Sequence, residues 1–311
     1  MTHALTTPDG APLSRFCFGA MQFGGKADEA ASRGMYDAAR AAGINFFDTA
    51  RAYTGGASET LLGQFAGPER DRVFIASKAN FTLGSGREAI RASVQESRTR
   101  LGMDRIDLYY LHRWDGSVPL DETFAALGQE QSAGRIGAIG VSNFTAWQVM
   151  KAEAVAQSLG LTIAMLQPMY NLLKRQAEVE ILPMAISEDF GVASYSPLAG
   201  GLLSGKYAGG ARGRVSDDPM YRARYAPGWM HDAALSLAGI GALIGVHPAT
   251  LAVAWAARHP GITAPIVSAR SAEQLAPSLA ALDFAMDDAL YARLSALSPA
   301  PPPATDRLEE A

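Results

Sequence analysis

Eight short apolar runs, alternating with longer stretches of helical period, constrain this chain more than any other feature of its sequence. They read RFCFGAM from Arg15, INFFDTA from Ile44, VFIASKA from Val73, IDLYYLH from Ile106, IGAIGVSN from Ile136, TIAMLQP from Thr162, VASYSPL from Val192 and PIVSAR from Pro265. Each is too short for an ordinary helix, and several are rich in β-branched or aromatic residues, so they predict buried strands. Between them Ala31, Met35, Ala38, Ala39 and Ala42 form one helical stripe, and Leu120, Phe124 and Leu127 another. Thr145 with Gln148, and Ser271 with Gln274, have the spacing of capping boxes at two helix starts.

Eight strand-helix units in succession predict an α/β fold whose parallel sheet closes into a (β/α)8 TIM barrel; a doubly wound open sheet is the competing architecture. Two details favour closure. A hairpin within residues 1–14, turning at Pro8-Asp9-Gly10, can plug one barrel end. No GxGxxG follows an early strand, as a dinucleotide-binding open sheet would show. We therefore read residues 1–311 as one domain. Residues 206–230, glycine-, proline- and arginine-rich with weak periodicity, are expected to form a long lid-like loop after strand seven. Residues 298–311 are expected to form a flexible tail.

Composition narrows the function classes. With 48% apolar residues the chain can build a large core unaided by disulfides, and Cys17 is its only cysteine. A net charge of −4 supplies no basic field for nucleic acid, so no nucleic-acid partner is expected. The start MTHALTTPDG lacks the apolar segment of a signal peptide, and no apolar run reaches membrane-spanning length. A cytoplasmic protein without a membrane partner is the default expectation.

In such a barrel the chemistry sits at the C-terminal ends of the strands. Strand two ends at Asp48 with Tyr53 just beyond, strand three at Lys78 and strand four at His112. Strand five ends at Ser142 and Asn143, strand six at Gln167, strand seven at Tyr195-Ser196-Pro197. Alone, each has a plain explanation: Asp48 a turn cap, Lys78 a solvated lysine, His112 a core histidine. Together on one rim they suit carbonyl reduction, which needs a proton delivered to oxygen as hydride reaches carbon. A free tyrosine, with pKa about 10, is a weak acid at neutral pH. A neighbouring Lys78 ammonium is expected to lower that pKa, Asp48 to hold the lysine charged, and His112 to donate to the substrate oxygen. One His with one Asp is a poor metal ligand set, so no metal is expected.

These residues resemble the aldo-keto reductase superfamily from about Arg15 to Leu282. The carriers are GINFFDTARAY from Gly43, ASK from Ala76, IDLYYLHRWD from Ile106, GAIGVSNF from Gly137, LQPMYN from Leu166, YSPLAGGLLSGKY from Tyr195 and SAEQL from Ser271. The resemblance implies a (β/α)8 barrel using NAD(P)H and a tetrad of Asp48, Tyr53, Lys78 and His112. It further implies that Ser142, Asn143 and Gln167 hold the nicotinamide carboxamide and that Tyr195 stacks on the ring. Ser196, Leu198, Gly200 and Leu203 would wrap the pyrophosphate, with Lys206 and Arg212 neutralising it. Arg270 would meet a 2′-phosphate, favouring NADPH over NADH, and Gln274 would reach the same region. The pattern departs from many relatives at Val267-Ser268, where they carry Pro-Gly or Lys, and at Pro277 and Ser278, where an acidic residue and an Asn commonly bind adenine.

Met21, Phe23, Arg51, Phe81, Trp114 and Trp229 are the expected substrate contacts, an aromatic rim suited to aldehydes. Arg51 can meet an acidic substituent or pair with a nearby carboxylate, and Trp147 is read as helix packing. The leading function is NADPH-dependent reduction of a small carbonyl compound. A cofactor-binding regulatory or sensor protein, like the potassium-channel β-subunits that resemble this family, is the alternative. A Schiff-base lyase using Lys78 ranks last.

Overall fold

The computed structural model describes residues 5–79, 82–209, 213–305, 307 and 309. Eight strands form its sheet: β1 (Cys17–Gly19), β2 (Phe46–Asp48), β3 (Phe74–Lys78), β4 (Ile106–Leu111), β5 (Ile136–Ser142), β6 (Ile163–Gln167), β7 (Gly191–Val192) and β8 (Ile266–Val267). Neighbours pair in parallel in the order β7-β6-β5-β4-β3-β2-β1-β8. The two ends then meet: Ala264 N–H donates to the Val192 carbonyl at 3.1 Å and Ile266 N–H to the Ser194 carbonyl at 2.8 Å, with a parallel bridge between Tyr195 and Ile266. The sheet is a closed barrel, as the alternation of runs predicts, and the open-sheet alternative falls.

The connecting helices are α1 (Glu29–Ala41), α2 (Ala57–Ala66), α3 (Arg87–Leu101), α4 (Leu120–Ser132), α5 (Ala146–Ser158) and α6 (Ile181–Ser187). They continue as α7 (Arg214–Asp217), α8 (Pro219–Arg224), α9 (Gly228–Ile244), α10 (Pro248–Arg258), α11 (Ala272–Leu279) and α12 (Asp288–Ser295). The expected capping box forms at Thr145 and Gln148, while at Ser271 only its N-cap half is present. Thr145 N–H donates to Gln148 Oε1 at 2.9 Å, and Ser271 Oγ accepts from Gln274 N–H at 3.2 Å. No single helix among the described residues is long and apolar enough to cross a membrane.

Strand alternation sorts the core into two compartments. Phe18, Phe47, Ile75, Tyr109, Ile139 and Leu166 face the helices, while Cys17, Phe46, Phe74, Ala76, Leu108, Tyr110 and Met165 fill the barrel. Packing inside is tight: a Cβ at Gly140 would lie 2.5 Å from the Tyr110 ring, so only glycine serves there. The hairpin is a small one, with Thr6 bridged antiparallel to Pro12, and Leu5 and Leu13 close the barrel interior from the N-terminal side.

The segment 206–230 differs from the loop expected. It carries α7, α8 and the start of α9. Asp218 Oδ1 accepts from Met220 N–H at 2.9 Å, and Pro219 occupies the first turn of α8, where a missing N–H costs nothing. Helices this short carry too few turns to show a period in sequence. The start of the expected tail is held: Ser298 is buried, and Arg175 Nη1 donates to Ser298 Oγ at 3.4 Å.

Candidate active site

The strand parity that fills the barrel with apolar side chains also builds its mouth. Asp48, Lys78, His112, Ser142, Gln167 and Tyr195 each stand two residues beyond an inward-facing position (Phe46, Ala76, Tyr110, Gly140, Met165 and Ala193). They form the polar top layer of an apolar stack. Lys78 Nζ, fully buried, donates to Asp48 Oδ1 at 2.5 Å and to the Thr49 carbonyl at 2.8 Å. Gln167 Nε2 reaches across the barrel from β6 to donate to Asp48 Oδ2 at 2.9 Å, so both carboxylate oxygens are occupied. Tyr53 follows in the turn after β2, its ring centroid 4.9 Å from Lys78 Nζ. The His112 ring stands edge-on to Tyr53, with centroids 5.9 Å apart at 83°.

The electrostatics sharpen the roles expected of these groups. For Tyr53 burial is the largest influence and outweighs the neighbouring Lys78 charge, so its pKa lies above the ordinary 10. The expected net lowering by Lys78 is therefore not what this arrangement produces: Lys78 pulls the pKa down, but desolvation of the phenolate pushes it further up. Tyr53 is thus a protonated, neutral donor at working pH. For Lys78 burial pulls downward, but the charges and hydrogen bonds of Asp48 and Tyr53 together overcome it and leave the pKa raised. A lysine held charged this way is a poor amine nucleophile, which argues against the Schiff-base reading. Burial, with Lys78 and Arg113 nearby, holds the His112 imidazole down at about 3, so it is a neutral ring at working pH.

Beside this cluster Asn143 joins three strand ends. Its left-handed backbone (φ 58°) aims the amide so that Nδ2 donates to the His112 carbonyl at 2.9 Å, while Oδ1 accepts from Tyr195 OH at 2.6 Å. Ser142 Oγ donates to the Gln167 carbonyl at 2.9 Å. Further round, Ser196 (φ 62°), Ala199 (φ 52°), Gly200 and Gly201 turn the chain tightly after β7, with Leu203 fully buried beneath. Lys206 has its pKa lowered by burial first and then by Arg270 and Arg214, with Lys26 adding to the effect. Those cations crowd one side of the mouth.

The profile of the aldo/keto reductase family matches residues 15–299. The chain belongs to that family. Membership places it among oxidoreductases, and some of its sequence relatives carry such names while others are named as channel subunits. An uncharacterized oxidoreductase of Bacillus subtilis, YrpG, is 34% identical over 316 residues, 94% of each chain. A probable voltage-gated potassium channel subunit beta of rice is 32% identical over 295 residues, 88% of this chain and 89% of its own. Human aflatoxin B1 aldehyde reductase member 4 is 37% identical over 195 residues, 61% of this chain and 59% of the relative.

The side of this aldo/keto reductase where substrate is expected departs furthest from the sequence reading. A cavity of about 470 Å3 opens at the ends of β3 and β4, lined by Ala79, Leu111, His112, Arg113 and Trp114 among others. Trp114 is the one expected substrate contact among the described residues that lines this cavity. Phe23 does not: it is fully buried, its ring 5.5 Å from Phe18 and 5.9 Å from Phe65, because the chain turns inward after β1. Arg51 faces the helix layer, where Nε donates to Glu96 Oε2 at 2.5 Å, so its charge is matched within the protein. Met21 and Trp229, each 37% exposed, do not line the cavity. Phe81 and Arg212 lie outside the described residues. Trp147, read as helix packing, is instead 59% exposed, with its ring 5.5 Å from that of Trp114. Its place in the first turn of α5, just past the end of β5, was the available signal. Arg214 and Tyr221, not singled out in the sequence, stand beside the turn after β7. Arg214 Nη1 donates to Tyr221 OH at 3.2 Å, and a Cβ at Gly200 would lie 2.7 Å from the Tyr221 ring.

Proposed function

We propose that this protein reduces aldehydes or ketones to alcohols with NADPH, using Tyr53 as the general acid. The observation that carries the reading is the buried Lys78–Asp48 pair set 4.9 Å from the Tyr53 ring, with His112 edge-on to the same ring. A carbonyl oxygen seated between Tyr53 and His112 accepts hydrogen bonds from a neutral phenol and a neutral imidazole. Neither group carries a charge of its own, so both favour the oxygen more as it becomes negative. As the phenol gives up its proton, Lys78 stabilises the phenolate left behind, and Asp48 keeps Lys78 charged and fixed.

The residues around the mouth fit a dinucleotide. Bound NADPH supplies hydride to the carbonyl carbon. Ser142, Asn143 and Gln167 would hold its carboxamide and Tyr195 its nicotinamide ring. Ser196, Leu198, Gly200, Leu203, Lys206 and Arg212 would take the pyrophosphate, with Arg214 near Lys206 as a further cation. Arg270 and Gln274 would meet the 2′-phosphate. Two features support the fit. Arg214 and Arg270 act on Lys206 as like charges, Asp217 opposes them, and the lowering that remains favours an anion beside Lys206. Ser268 Oγ is buried without a hydrogen-bond partner among the described residues, two positions before Arg270.

The test is NADPH oxidation followed with a panel of aldehydes and ketones. Turnover is expected, and Tyr53→Phe should lower kcat by roughly 10²- to 10⁴-fold, the usual span for a lost general acid. Turnover by Tyr53→Phe near the wild-type rate would end the assignment of the acid. Tight NADPH binding with no turnover across the panel would favour the regulatory reading, which the rice channel-subunit relative keeps in view.

A further inference from the structure

Behind the turn that carries Tyr53 lies a charged cluster that the proposed chemistry leaves unused. Glu59 of α2 is fully buried, an uncommon place for a carboxylate. Its Oε1 accepts from Ser77 Oγ at 2.6 Å, and its Oε2 faces Arg100 Nη1 at 3.7 Å. Alternation along β3 gives this contact its reach. Ser77 faces out toward α2, while the next residue, Lys78, faces the barrel mouth.

Arg100 of α3 grips the other catalytic segment. Its Nη1 donates to the Arg51 carbonyl at 3.1 Å, and its Nη2 pairs with Glu96, which also receives Arg51 Nε at 2.5 Å. The guanidinium fills the space that a side chain at position 56 would need: a Cβ on Gly56 would lie 2.5 Å from Arg100 Cζ. Tyr53 opens the turn so held. Three successive residues after it, Thr54 (φ 49°), Gly55 (φ 66°) and Gly56 (φ 99°), are left-handed, a run that persists only where its surroundings enforce it.

We infer that Glu59 and Arg100 are a positioning pair that sets the separation of Tyr53 from Lys78. Glu59 fixes the end of β3 through Ser77, and Arg100 fixes the Tyr53 turn through the Arg51 carbonyl. Their mutual contact couples the two. Neither touches substrate or cofactor. The separation matters because the influence of the ammonium on the phenol varies with distance and is little screened away from water. The inference rests on Tyr53 being the acid, so its test includes a measurement that does not need turnover.

Arg100→Met, Arg100→Lys and Glu59→Gln would be compared with wild type by steady-state kinetics on 4-nitrobenzaldehyde with saturating NADPH. In parallel, protein labelled with 13Cζ-tyrosine would be followed by NMR, the Tyr53 signal being assigned by its loss in Tyr53→Phe. Arg100→Met is expected to lower kcat about ten- to a hundredfold, with aldehyde KM and NADPH affinity within about threefold, and to move the Tyr53 signal. Arg100→Lys, which keeps a donor, should restore part of both. Glu59→Gln, which still accepts from Ser77, should lie between wild type and Arg100→Met. If folded Arg100→Met keeps its kcat and its Tyr53 signal, the pair is merely structural and the inference fails. Should Arg100→Met not fold, Glu59→Gln decides: an unmoved signal with unchanged kcat overturns the inference. If wild type reduces no carbonyl, the functional reading fails by itself, and the Tyr53 signal still decides whether the pair positions it.

Discussion

The two sides of the barrel mouth are built on different principles. On the acid side, β3 and β4 run for 5 and 6 residues, and the charge on Lys78 is met within the protein by Asp48. On the side proposed to take the cofactor phosphates (the phosphate side below), β7 and β8 have 2 residues each, and the chain proceeds through left-handed turns at Ser196, Ala199, Gly200 and Gly201. There Lys206 is crowded by Arg270 and Arg214, which lower its pKa after burial has done so. One side carries its own counter-charge and is assembled before any ligand arrives. The other concentrates positive charge that Asp217 offsets only in part and that an added anion would relieve further.

The most severe way to break the acid side is Lys78→Met. It strands Asp48 with Gln167 as its remaining described side-chain partner, and loss of one member of a buried pair costs about 3–5 kcal/mol. Urea unfolding should register that loss, and kcat should fall at least as far as in Tyr53→Phe. Stability within about 1 kcal/mol of wild type would show that the pair is not needed to hold the mouth together. On the phosphate side the same kind of change should act in the opposite sense. Lys206→Ala should leave the apo protein no less stable, because it relieves repulsion. It should weaken NADPH about 10- to 100-fold by titration, the span expected for one charge-assisted hydrogen bond. A melting temperature lowered without any loss of NADPH affinity would erase the contrast.

Salt sharpens it next. Raising NaCl from about 0.05 to 0.5 M shortens the Debye length from about 14 to 4 Å. NADPH affinity is expected to drop several-fold, while kcat at saturating cofactor should hardly move. The smallest effect concerns pH. With its pKa held at about 3, His112 stays uncharged from pH 5 to 8, so kcat/KM should show no limb near the ordinary histidine value of 6.5. The proposed reduction uses protonated Tyr53, whose pKa is raised, so this group should produce its loss of activity only on the alkaline side. An inflection near 6.5 that vanished in His112→Gln would show a solvated imidazole instead.

Much of the acid side was legible in sequence because strand period and strand end are both local. Asp48, Lys78 and His112 fall at the ends of apolar runs, and parity alone directs them to the mouth. What could not be read were contacts set by distant partners. Arg51 is claimed by Glu96, 45 positions away on a helix whose rotation no local pattern specifies. Phe23 is as apolar as a pocket residue would be, and only the inward turn after β1 sends it to the core. The lowering expected for the Tyr53 phenol considered the ammonium but not the depth of burial, a property of the assembled barrel. The segment 206–230 looked irregular because α7 and α8 have 4 and 6 residues, too few for a stripe.

The seam where β7 meets β8 has a mechanical consequence. Its strands are the shortest in the barrel, so this is the stave most readily sprung, and the amides of Ala264 and Ile266 should be among the first in the sheet to exchange with deuterium. A dinucleotide running from Ser142 to Gln274 would lie across that joint like a hoop. Slowed exchange at these two amides on adding NADPH would make the cofactor a structural fastening as well as a reagent.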